Sequence, residues 1–199
     1  MNDSPDRLAR QIAFLLELDR LKTVLRRSRL LHEDRRENSA EHSWHVVMLA
    51  MVLAEHADEA VDGTRVARML MIHDVVEIDA GDAFVYDVAA RTEKAKKETA
   101  AAERIFGLLP EDQGRELHAL WREFDAGETP DARFALPIDR LMPLLHNLEG
   151  GGQSWKEHGI RKHQVLDGNA LMARGSSTLW DYARQRIEAA AARGDLTED

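Results

Sequence analysis

NSAEHSWHVVMLAMVL, residues 38–53, begins as a helix begins and continues as one. Asn38 and Glu41 have the spacing of a capping box, in which each side chain satisfies a backbone N–H that the first turn leaves without a partner. Val46, Leu49, Val52 and Leu53 then recur at intervals of three and four, which places them on one helical face. His42 falls in the first turn of that helix.

The pattern repeats outward in both directions. Upstream, Ser4-Pro5 supplies a cap and a first-turn proline, followed by Leu8, Ile12, Leu15, Leu18, Leu21 and Leu25 at helical spacing. Arg26, Arg27 and Arg29 then read as the cationic C-terminal end of that helix, where positive charge suits the dipole. Downstream, Gly63-Thr64 opens a third helix carrying Val66, Met69, Leu70 and His73. Thr92 opens a charged fourth that stops near Gly107, and Pro110 starts a fifth bearing Leu117, Leu120, Trp121 and Phe124. Thr129-Pro130-Asp131 starts a sixth, through Phe134, Ile138, Leu141 and Leu145, in which Pro137 and Pro143 predict a kink. Gly150-Gly151-Gly152 reads as a loop beside the site rather than a domain boundary. Ser154 to Glu157 begins a further helix, and a last one covers roughly Thr178 to Ala192. No alternating strand pattern stands out. The chain predicts an all-α fold in a single domain over residues 1–199.

Composition narrows the class. Of the 199 residues, 44% are hydrophobic and 32% charged, the balance of a soluble globular protein. No apolar run approaches the ~20 residues that cross a bilayer, and the N-terminus lacks the basic and apolar regions of a signal peptide. Cys is absent, which excludes disulfides, thiolate metal sites and a Cys nucleophile, and makes a reducing cytoplasm the expected location. A net charge of −9 argues against a nucleic-acid polymer as partner, since that binding uses clustered Lys and Arg on phosphates. A small phosphorylated molecule stays compatible, because one bound cation reverses the local potential of a pocket.

Four residues carry the chemistry: His42, the pair His73-Asp74, and Asp139. Chance alone supplies about one His-Asp pair in such a composition, so the dipeptide by itself decides nothing. All four lie at helix ends or in an irregular helix, where side chains from distant segments converge. Two imidazoles and two carboxylates suit one divalent ion, Mn, Co, Fe, Ni or Zn, with Mg admitted by the carboxylates. Four protein ligands on an ion that prefers six leave room for water and a phosphate oxygen.

Glu41-His42-Ser43, His73-Asp74-x-x-Glu77, Gly81-Asp82 and Asp139-Arg140 together resemble the HD-domain phosphohydrolases. The resemblance is nearest to the branch of the bacterial 5′-deoxynucleotidases and the HD domain-containing protein 2 group. It runs from about Leu21 to about Gly159 and includes Leu108-Leu109-Pro110-Glu111-Asp112, leaving residues 160–199 as helices packed on that motif core. It implies an HD-type helical bundle, a metal held by His42, His73, Asp74 and Asp139, and a homodimer. It also implies that Glu77 handles the proton of the catalytic water or leaving group. Asp82 takes the place of a residue that contacts the substrate sugar or orients the water. Arg27, fifteen residues before His42, takes the place of a phosphate- or sugar-binding Arg. Relatives follow that Arg with an aromatic residue where this chain has Ser28, a departure that bears on deoxyribose selectivity.

The function expected is metal-dependent hydrolysis of a phosphate ester, most concretely release of phosphate from (deoxy)nucleoside 5′-monophosphates. The alternatives are a nucleotide phosphodiesterase or pyrophosphohydrolase, and a nucleotide-binding regulator without turnover. Around this centre, His45 and His146 share helix faces with His42 and Asp139. Each reads first as a hydrogen-bonded helix histidine; the alternatives are a group supporting the ligands from behind, a phosphate contact or a ligand of a second ion. Lys94, Lys96 and Lys97 read as a solvated face, and Arg140 as a salt-bridge former. Trp155, Lys156 and His158 read equally as a lid or as packing.

Overall fold

A computed structural model describes residues 5–82 and 91–198. Ten α-helices are present among them: α1 (Pro5–Leu18), α2 (Ser39–Leu53), α3 (Gly63–Ile72), α4 (Glu77–Ala80), α5 (Arg91–Phe106), α6 (Glu111–Ala126), α7 (Pro130–Glu149), α8 (Gln153–His158), α9 (Lys162–Asn169) and α10 (Ser177–Arg193). The fold is all-α, as expected. Ser4, the expected first cap, lies outside the described residues.

Several helix starts follow the chemistry read in the sequence. At α2, Asn38 Oδ1 accepts from the Glu41 N–H at 3.0 Å and Glu41 Oε2 accepts from the Asn38 N–H at 3.2 Å, completing the capping box. Thr129 Oγ1 accepts from the Ala132 N–H at the head of α7, with Pro130 in the first turn. Asp62, one residue before the expected start, caps α3 through the N–H groups of Thr64 and Arg65. Helix α7 is continuous across Pro137 and Pro143. Pro137 offers no N–H to the Arg133 carbonyl. Gly175 packs against that same carbonyl, where a Cβ would stand 1.8 Å from the oxygen.

The segment after α1 departs from expectation. Helix α1 ends at Leu18, a short 3₁₀ turn covers Asp19–Thr23, and the chain enters a strand, β1 (Leu25–Arg29), paired antiparallel with β2 (Arg36–Asn38). The basic cluster is therefore strand, not helix end. Within β1, Leu25 is exposed, Arg26 half-buried, Arg27 exposed and Ser28 buried. The period of two is real, but polar residues occupy its inward positions, so hydrophobicity could not reveal it.

Two apolar clusters meet across α3. Val66 and Leu70 face one, with Val46, Phe134, Ile138, Leu141, Trp155 and Ile187. Met69 and Ile72 face the other, with Phe14, Ile105, Phe106, Leu120 and Trp121, and Phe124 packs against both. Helix α7 runs through the first cluster as its spine, touching α2, α3 and α10. The C-terminal end of α3 thus emerges at the seam of the core, held from both sides.

The glycine triplet forms the turn from α7 into α8. Gly152 has φ +70°, and a Cβ there would lie 1.9 Å from the Asp195 carbonyl oxygen, so only glycine lets the two segments meet. Trp155, just beyond, is 1% exposed within the first cluster, which resolves the choice between lid and packing in favour of packing. Trp155→Ala is expected to lower the unfolding free energy by about 3–5 kcal/mol. Chemical denaturation that shows a change below ~1 kcal/mol would mean that the ring lies outside the core.

Candidate metal centre

The capped first turn of α2 aims His42 inward, where it is fully buried. The end of α3 presents His73 and Asp74, and the third turn of α7 faces them with Asp139. His42 Nε2 and His73 Nε2 approach the same oxygen, Asp139 Oδ1, at 2.9 and 3.2 Å. Asp74 Oδ1 lies 3.1 Å from His73 Nε2, and Asp74 Oδ2 lies 4.0 Å from His42 Nε2. Side chains 97 residues apart in sequence therefore converge on one point, as the sequence reading expects.

This donor set fits a divalent cation. One ligand atom each from His42, His73 and Asp139 lies within 4.8 Å of the others, and Asp74 adjoins them. The His73 Nδ1–H donates to the Leu70 carbonyl at 2.7 Å, which fixes the tautomer that turns the Nε2 lone pair toward the cluster. Imidazole nitrogen with carboxylate oxygen is the chemistry of borderline divalent ions.

Electrostatics point the same way. Burial works against charge on His73, yet Asp74 and Asp139 push it up to about 9. Burial likewise opposes ionisation of Asp139, and the hydrogen bonds from His42 and His73 more than offset it, holding the carboxyl well below the usual range. The site attracts positive charge, and protons and metal ions compete for the same electron pairs.

Glu77 opens α4 after a tight turn in which its N–H donates to the Asp74 carbonyl at 2.9 Å. Its carboxylate is buried, with Oε2 accepting from Ser39 Oγ at 2.7 Å. Burial first, then the neighbouring Asp74, pushes its carboxyl up to about 8. Asp82 lies on the same side, 3.9 Å from Arg26 Nη1, and burial raises it too. The four expected ligands, Glu77 and Asp82 thus form one neighbourhood.

Arg27 does not join it. Its side chain is exposed, with Nη1 3.4 Å from His158 Nε2. Strand alternation sends Arg26 inward instead, where Nη1 donates to Asp74 Oδ2 and lies 3.8 Å from Glu77 Oε2. Arg26 pays for burial, but Asp74, Glu77, Asp82 and Asp139 surround it and hold it firmly protonated. The spacing that the resemblance supplies, fifteen residues before His42, leads to the outward-facing Arg27, one residue short of the inward-facing Arg26. Lys94 also differs from expectation. It is half-buried and paired with Glu98 at 2.9 Å, and its charge is favoured by Glu98 and, from farther off, by Glu77 and Asp74. Arg140 lies 4.0 Å from Asp139 Oδ2, a salt-bridge position. Lys156 donates to the Gly151 carbonyl at 2.8 Å.

Glu37 was missed in the sequence altogether. It is 1% exposed, accepts from Ser28 Oγ at 2.9 Å, and brings Oε2 to 3.5 Å from His42 Nδ1. One signal was available: it stands immediately before Asn38, the cap of the helix that carries His42.

The HD domain family profile matches residues 18–180. The human protein named 5′-deoxynucleotidase HDDC2 is 30% identical over 139 residues, covering 69% of this chain and 67% of its own. The protein named 5′-deoxynucleotidase hdd1 from Schizosaccharomyces pombe is 28% identical over 143 residues, covering 69% of this chain and 71% of its own. A crystal structure of a predicted metal-dependent phosphohydrolase from Magnetospirillum magnetotacticum is 53% identical, with a TM-score of 0.91 over 96% of both chains. The chain belongs to the HD domain family.

Removing Arg26 leaves a buried group of carboxylates without its cation. In metal-free protein, Arg26→Ala is expected to cost about 3–5 kcal/mol of stability, whereas Arg27→Ala stays within about 0.5 kcal/mol. Urea unfolding of the two variants side by side checks this; equal effects would place both arginines on the surface.

Proposed function

We propose that this HD-domain chain is a metal-dependent phosphomonoesterase that releases phosphate from nucleoside 5′-monophosphates. The observation that carries the reading is the approach of two imidazoles, from α2 and α3, to a single carboxylate oxygen of α7. His42, His73, Asp74 and Asp139 would hold the ion. When bound, a divalent ion supplies Lewis acidity toward water and phosphate oxygen.

The remaining work falls to the chain's own groups. Hydrolysis replaces the bond from phosphorus to the 5′-oxygen by one to a water oxygen, so the leaving oxygen needs a proton. Glu77, with a carboxyl pushed up to about 8, holds a proton at neutral pH and stands beside the ligand Asp74. Ser39 Oγ donates to its Oε2, which orients the group. Arg26, flanked by Asp74 and Glu77, is placed to offset the charge of the phosphate, the role that the family resemblance gives to Arg27. Asp82 lies near enough to Arg26 to align it or to meet the sugar. Burial of the whole group strengthens each of these interactions.

The names of the relatives support a nucleotide as substrate and a monoester as the bond broken. Ser28 bears on the sugar. It is buried and bound to Glu37, so it offers no ring to stack on a substrate, and we assign this chain tolerance of ribose as well as deoxyribose. Among the described residues no helix is long and apolar enough to cross a membrane. We assign the protein to the cytoplasm, residues 1–199 to one domain, and the active form to a homodimer. Trp44, Met48, Met51 and Val52 leave an exposed apolar stripe along α2, at spacings of one helical turn. A sedimentation mass of a single chain at micromolar concentration would overturn the dimer.

Purified protein reconstituted with Mn, Co or Zn and offered nucleoside mono-, di- and cyclic phosphates is expected to release phosphate from the 5′-monophosphates. Turnover of only cyclic or pyrophosphate substrates would replace this reading. Asp139→Ala is expected to lose bound metal and activity together. Glu77→Gln is expected to keep the metal and lose kcat by about 10²–10⁴. Retention of the wild-type rate in Glu77→Gln would remove that residue from the proton transfer.

A further inference from the structure

Glu37, His45 and His146 form a second cluster of metal-binding type beside the first. One ligand atom from each lies within 4.8 Å of the other two. The helices that bring His42 to Asp139 also bring His45, three residues on in α2, toward His146, seven residues on in α7. Their ring centroids stand 6.3 Å apart. Glu37, the last residue but one of β2, closes the group, with Oε2 3.9 Å from His146 Nδ1.

A second observation marks the cluster as a ligand site rather than a hydrogen-bonded core. His146 Nδ1 has no hydrogen-bond partner among the described residues, although the side chain is only 5% exposed. A buried ring nitrogen left alone forfeits its hydration without compensation, and a histidine packed for stability alone would have been given a partner. Ser28 Oγ donates to Glu37 Oε2 at 2.9 Å, which orients the carboxylate as groups behind metal ligands do. Access exists as well. His45 is partly exposed, and a small pocket lined by Arg29, Leu30, Asn147 and Gln153 reaches His146.

We propose that Glu37, His45 and His146 bind a second divalent cation, distinct from the one assigned to His42, His73, Asp74 and Asp139. Two imidazoles and one carboxylate select borderline ions, Zn, Co or Ni ahead of Mg or Ca, and leave coordination positions for water. Glu37 also faces His42 Nδ1, at 3.5 Å, so the second ion lies behind the first centre rather than within it.

Metal-free protein titrated calorimetrically with Zn²⁺, with bound metal counted by elemental analysis after gel filtration, tests the assignment. Wild type is expected to bind two equivalents. His45→Ala and His146→Gln are each expected to weaken one of them at least tenfold and to leave the other, while Asp139→Ala removes the complementary one. His45 is partly exposed, so His45→Ala carries the test even if His146→Gln does not fold. A single equivalent that Asp139→Ala abolishes and His45→Ala leaves intact overturns this site and spares the hydrolase reading. A single equivalent lost in His45→Ala but kept in Asp139→Ala does the reverse. Two equivalents bound undiminished by both His45→Ala and His146→Gln also overturn it.

Discussion

Asp74, Glu77, Asp82 and Asp139 share one small volume at the end of α3, and their mutual repulsion in a site shielded from water must be answered by positive charge. Arg26 supplies it from inside the chain, lying within 4 Å of Asp74, Glu77 and Asp82. In an interior of low effective dielectric such charges interact several times more strongly than in water. An uncompensated cluster of this kind would drive its carboxyls to hold protons or would open the fold. Even with Arg26 present, burial first and the neighbouring Asp74 second leave the Glu77 carboxyl raised.

The surrounding architecture follows from meeting this demand. A guanidinium must reach the end of α3 without an entire helix packing there, and a two-stranded ribbon does that with one inward residue. The same ribbon places Glu37 behind His42 and leads directly into the capping box of α2. Two apolar clusters then clamp α3 from either side, with Val66 and Leu70 facing one and Met69 and Ile72 the other. Burial of those side chains, at roughly 1.5–3 kcal/mol each, offsets the cost of keeping polar groups in the seam. Chemistry and stability are thus opposed locally and reconciled across the domain.

Acidity and basicity at the centre are distributed rather than uniform. Asp139 is held ionised by two imidazoles, whereas Glu77, a short distance away, is held toward its protonated form by burial and by Asp74. Two carboxylates whose environments push them apart in this way divide the labour of a hydrolytic site: one suits a cation and the other a proton. Arg26 stands between them and keeps both arrangements affordable at once.

The amino-acid sequence by itself determined the all-α class, the capping box of α2, the start of α7 at Thr129-Pro130, and His42, His73, Asp74 and Asp139 as the residues that meet. These rest on local chemistry: caps, helical spacing and residue types that coordinate metal. It could not determine β1, because the inward positions of that strand are Arg26 and Ser28, which carry no hydrophobic signal. Nor could it choose Arg26 over Arg27, since a change from helix to strand decides which of two neighbours points inward. Glu37 and His146 became neighbours only when β2 and α7 were packed together. Contacts between segments about a hundred residues apart leave no periodic trace in the chain, so tertiary packing alone decides them.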